Sequence, residues 1–134
     1  MPTMKHHNNI GLAVRQVNFD EVVSHAVVAI VSNHYPQRDI NKLSISKKAE
    51  LYAVVQCITD LLREVNWQVL HEESGAPILF EHSKKSVLSI SISHTVEKTE
   101  TGGIAYAAVI LSREKEKIGV DVVLKDDPRI KRVA

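Results

Sequence analysis

Hydrophobic positions along the chain change period twice, and the changes outline its elements. Gly11 to Val17 is apolar enough to form a first strand. From Asp20 to about Asn33, Val22, Val23, Ala26, Val27 and Ile30 recur at helical spacing. Asn18 ahead of this stretch, with Glu21 three positions later, has the form of a capping box. His34-Tyr35-Pro36 ends the helix, because a residue before proline avoids the helical region. A second helix is predicted from Ser46 to about Val65. Leu51, Val54, Val55, Ile58, Leu61, Leu62 and Val65 make its apolar stripe, and Lys47, Lys48, Glu50, Asp60, Arg63 and Glu64 fall mostly outside it. After Asn66 the period becomes that of a strand. Trp67 to His71 predicts one strand, Glu72-Glu73-Ser74-Gly75 a turn, and Val87 to Ser93, Ile104 to Ser112 and Lys117 to Val123 three more.

Short loops join the last three strands, so antiparallel neighbours are expected. Ala105 to Leu111 is apolar on both parities, which predicts a central strand covered on both faces. Two helices followed by a run of strands predict an α+β domain, a mostly antiparallel sheet packed with two main helices. There is no repeat, linker or low-complexity segment, and residues 1–134 are expected to form a single domain. Near the end, Lys125-Asp126-Asp127-Pro128 predicts a turn leading into a helix, with proline suited to its first turn.

Composition narrows the function classes. A net charge of +1 and an aromatic content of 4% argue against a nucleic-acid surface. No run of about 18 apolar residues is present and the first residues carry no apolar signal core, so a soluble, cytoplasmic protein without a membrane role is expected. The single cysteine, Cys57, excludes an internal disulfide and reads as a small buried hydrophobe in a reducing compartment. His6 and His7 admit two readings, a metal site and a solvated terminus.

Polar groups set into apolar strands mark the candidate chemistry, because burying them is costly unless something binds them. Ser89, Ser91 and Ser93 share one strand face, and His94 follows Ser93 at the expected strand end. A histidine among hydroxyls is a candidate phosphate ligand; the alternative is a core histidine held by one backbone bond. Asp121 lies beside Gly119 in the last strand and points away from Ile118, Val120 and Val122. It is a candidate Mg²⁺ ligand, or else a salt-bridged surface aspartate. Lys47 and Lys48 are candidate phosphate contacts or a solvated helix face.

These pieces, in this order, resemble the phosphopantetheinyl transferases of the long type, whose chain is two similar halves. That family carries a G-x-P-x-L turn, a hydroxyl-rich strand ending in I-S-H-S/T, a small-residue strand and then G-[IV]-D-[IV]-E. Here they read Gly75-Ala76-Pro77-Ile78-Leu79, Ile92-Ser93-His94-Thr95, Ala105-Tyr106-Ala107-Ala108-Val109 and Gly119-Val120-Asp121-Val122. The resemblance spans roughly residues 40–134 and implies the N-terminal half of a pseudo-dimeric fold. It implies transfer of phosphopantetheine from coenzyme A to a serine of an acyl or peptidyl carrier protein, as in fatty acid or polyketide biosynthesis. Asp121 would hold Mg²⁺. Ser93, His94, Gly75, Pro77 and Lys47 or Lys48 would surround coenzyme A. The chain departs from the family at Val123, where a second carboxylate is expected, and at Ala76, where a basic residue is frequent. No Lys-Glu helix follows before Ala134. A homodimer, a second half-domain, or a role as a non-catalytic interaction module is therefore also implied.

Overall fold

The computed structural model describes residues 9–113. Asp121, the strand expected at Lys117–Val123, the turn at Pro128, and the pair His6 and His7 lie outside the described residues. The elements run in the order β1 (Asn9–Asn18), α1 (His25–His34), α2 (Ile45–Leu62), β2 (Trp67–His71), β3 (Pro77–Glu81), β4 (Lys84–Lys85), β5 (Ser89–Thr99) and β6 (Gly102–Ser112). The strands form two antiparallel three-stranded sheets, β1-β6-β5 and β2-β3-β4. The chain is α+β, as its pattern predicts.

Small side chains decide how close α2 comes to the first sheet. Ala49, Ala53 and Cys57 recur every fourth residue and are fully buried, as are Ala105 and Ala107 on β6. With no bulk between them, the Cys57 thiol reaches the Ala107 carbonyl at 3.6 Å. Leu51, Val54, Val55 and Ile58 complete the face of α2 that joins Val17, Val109 and Leu111 in the core. The second sheet contributes Trp67, Val69 and Leu79, each nearly inaccessible.

Both helices start at a serine. Ser44 accepts a hydrogen bond from the Lys47 N–H at 3.2 Å, which starts α2 one residue before the expected Ser46. Arg63 adopts the left-handed conformation at φ 58° and donates its N–H to Thr59, which stops the helix short of Val65. The first helix begins later than its periodicity predicts. Glu21 accepts from the Asn18 N–H at 2.8 Å, but this box closes only the single 3₁₀ turn Phe19–Val22. Phe19 and Val22 are anchored in the core. Ser24 then takes an extended conformation and caps α1 by accepting from Val27 at 3.2 Å.

Trp67–His71 is the strand expected, and β6 is the middle strand of its sheet. Its cover is one-sided among the described residues. α2 lies on the inner face, whereas on the outer face Leu12 and Val14 of β1 are 58% and 61% exposed beside half-buried Tyr106 and Ile110. Strand β5 runs on to Thr99, beyond the expected end at Ser93. Thr95, Val96 and Thr99 are β-branched and keep the pleat, and the chain turns back only at Glu100-Thr101, ahead of Gly102-Gly103.

Gly103 is fixed by a close approach. A Cβ built there would lie 2.5 Å from the buried Phe19 ring. Gly103→Ala is expected to cost about 1–3 kcal/mol, read as a drop in urea midpoint at unchanged m-value. An unaltered midpoint would mean that Phe19 packs elsewhere.

Candidate functional site

Lys47 and His94 meet at one carboxylate. The Lys47 ammonium lies 3.1 Å from Glu50 Oε1, and His94 Nδ1–H donates to Glu50 Oε2 at 2.8 Å. The reason is local geometry. Lys47 and Glu50 sit three apart on the first turns of α2, hence on one face. His94 shares a strand face with Ile90 and Ile92, the face turned to α2. His94 therefore stands mid-strand, paired with Ala107, and not at a strand end.

Glu50 is only 9% exposed. Burial opposes its ionisation, but hydrogen bonds and charge from His94 and Lys47 outweigh that and hold its carboxyl below the usual range. An ionised carboxylate only accepts, so Nδ1 carries a proton and the ring's second nitrogen, Nε2, is left without a hydrogen-bond partner among the described residues.

Beside this pair lies a cleft of about 170 Å³ lined by Tyr35, Arg38, His71, Pro77, Ile92 and His94. It has room for a single phosphate or a small ring, against about 300–1,000 Å³ for sites holding drug-sized ligands. Arg38 places one cationic side chain on its wall. Burial and the nearby Arg38 guanidinium both push the His71 imidazole down. Burial raises the Tyr35 hydroxyl far above its ordinary value, with Arg38 opposing. The Tyr35 and His71 rings stack at 6.5 Å, and Gln37 pins the strand end by accepting the His71 N–H at 2.9 Å. Arg38, half-buried after Pro36, thus brings a positive charge near both rings.

The residues singled out from sequence divide into two groups. Lys47, His94 and Pro77 converge here. Gly75 makes the turn that sends Pro77 into β3, with φ 92° and its N–H bonded to the Glu72 carbonyl at 2.8 Å, but it does not line the cleft. Ser93 alternates to the opposite sheet face, paired with Ala108, so Ser93 and His94 side chains do not meet one ligand from the same side. Lys48 is half-buried one residue round the helix and makes no ion pair among the described residues. Asp121 and Val123 lie outside the described residues, among which no group of three His, Cys, Asp or Glu side chains is placed to hold a metal ion.

Glu50, Arg38, Tyr35 and His71 were not expected at a site. The available signal was the Lys47…Glu50 spacing, an ion pair on one helix face. The chain matches no protein-family model and no curated protein. None of the helices in the described residues is long and apolar enough to cross a membrane.

Proposed function

We propose that this chain is one half of a phosphopantetheinyl transferase-like fold that binds coenzyme A. Completed by a second half, it would transfer phosphopantetheine to a serine of an acyl or peptidyl carrier protein in the cytoplasm. The observation that carries the reading is the meeting of Lys47 and His94 at Glu50, beside a cleft edged by Arg38 and Pro77. Three of these five residues were singled out by the family's motifs and helix, and they come from three separate elements.

In the reaction the carrier's serine hydroxyl attacks the phosphorus that bears pantetheine. A bond from the serine oxygen to that phosphorus forms, the hydroxyl proton passes to solvent, the bond from that phosphorus to the bridging oxygen breaks, and adenosine 3′,5′-bisphosphate leaves carrying that oxygen. The role of the described residues is binding. Arg38 and Lys47 would supply donors and positive charge to phosphate oxygens, His94 would donate from Nε2 in its imidazolium form, and Glu50 orients the two that it touches. Mg²⁺, where bound, would offset charge on the pyrophosphate, with Asp121 as the proposed ligand. A reducing compartment accords with Cys57, whose thiol burial pushes up to about 12.

Calorimetric titration with coenzyme A and Mg²⁺ should show saturable binding. His94→Ala should weaken it by about tenfold, the worth of one charge-assisted hydrogen bond. Absence of heat and of any thermal shift at millimolar coenzyme A would overturn the proposal.

A second reading, an interaction module that dimerises or pairs with a separate chain, draws on Leu12 and Val14. They place apolar surface on the open face of β1, an edge strand among the described residues. Light scattering decides it: a monomer at high concentration that captures no partner would count against this module.

A further inference from the structure

A larger cleft lies elsewhere, between α1, α2 and β1, and holds about 540 Å³. Ala29, Ile30, Val55 and Val65 give it apolar walls, and Arg15 and Asp60 lie among its lining residues. His34 also lines it and is 4% exposed, stacked on Trp67 with ring centroids 3.8 Å apart.

The hydrogen bonding of His34 fixes what it offers. Its Nδ1 lies 2.7 Å from the Trp67 carbonyl oxygen, which only accepts, so the proton is on Nδ1. Burial disfavours a second proton and lowers the ring's pKa. Nε2 is therefore a bare acceptor, and it has no partner among the described residues. Every fully buried side-chain nitrogen or oxygen among the described residues does have a partner. Nε2 accordingly keeps contact with open space, and the cleft is the space that His34 lines.

The charge of the ligand follows from the other polar pair. Arg15 Nε and Nη2 donate to the two Asp60 oxygens at 2.7 and 2.9 Å, so each charge is satisfied by the other. The pair carries no net charge, so the cleft offers an ionic ligand no unbalanced counter-charge, whereas a neutral ligand needs none. We propose that this cleft binds a neutral, ring-bearing alcohol or phenol, its ring against Ile30, Val55 and Val65 and its hydroxyl donating to His34 Nε2. The site does not depend on the coenzyme A reading.

Titration of the full chain with β-naphthol, followed by heteronuclear NMR, tests it. Saturable shifts are expected at Ile30, Val55 and Thr59, together with a change at the His34 ring nitrogens. Methyl β-naphthyl ether, which lacks the donor, should bind about tenfold more weakly. Val65→Glu places a charge on a rim position that is 69% exposed, so folding should survive and naphthol binding should not. No saturable shift at millimolar naphthol, shifts centred on another surface, equal binding of the ether, or unchanged binding by Val65→Glu would each overturn the proposal.

Discussion

Trp67→Ala should remove about 3–5 kcal/mol of stability, the usual loss for a large aromatic cut from a core. Few single changes in this chain should cost more. Trp67 is wholly inaccessible, and three parts of it are engaged at once. Its ring stacks on His34 with the planes 22° apart. Its indole N–H donates to the Glu64 carbonyl at 3.1 Å, drawing the chain back after α2. Its own carbonyl accepts from His34. Alanine keeps only the last of these and opens a cavity between α1 and the second sheet. Domains are stable by about 5–15 kcal/mol, so the variant should sit near the edge of folding. Trp67→Phe should lose less, since a ring remains and one hydrogen bond goes, worth about 0.5–1.5 kcal/mol. As Trp67 is the sole tryptophan, circular dichroism in a urea series is the measurement of choice. A loss below about 1 kcal/mol for the alanine variant would contradict the packing described around His34.

The parts of the fold that sequence displays are those where one signal acts alone. The α2 stripe and the Trp67–His71 strand are single periodicities, and the small residues of β6 make it a middle strand. Two signals compete at the start of α1. Asn18 with Glu21 and Ser24 with Val27 are both good caps, and only the burial of Phe19 and Val22 gives the first a short turn and the second the helix. At β5 a histidine looked like an end because it is polar. It continues because Glu50, distant in sequence, satisfies it across the helix–sheet interface. For the same reason Glu50 was invisible as a site residue. A carboxylate outside an apolar stripe reads as solvated until a partner from another element meets it. Arg38 was hidden differently, in a loop with no period, and only the docking of Tyr35 against His71 gives it a place.

Glu50→Gln tests that interface through its pH dependence. The carboxyl of Glu50 is held below its ordinary value of 4.5, the hydrogen bonds from His94 and Lys47 overcoming burial. A carboxyl depressed on folding stabilises the native state above its unfolded value and loses that contribution as pH falls through the folded one. At neutral pH the amide should cost about 1–3 kcal/mol, as for hydrogen bonds to charged groups. The lower end is expected, because the Lys47 and His94 side chains are 37% and 30% exposed and water screens them. As pH falls below 4.5 the unfolded carboxyl protonates first; once the pH passes the lower folded value the native carboxyl follows, its partners lose their charge-assisted bonds, and the two proteins should converge in stability. An earlier acid loss should be common to both. His34 and His71 are held below their ordinary value of 6.5, mainly by burial, so the unfolded chain takes up protons first as pH drops through that value. Urea midpoints across this range should therefore fall together in the first step, and only the wild type should fall further in the second. A gap that stays constant into acid would mean that the cost of the amide comes from shape and not from the charge of Glu50.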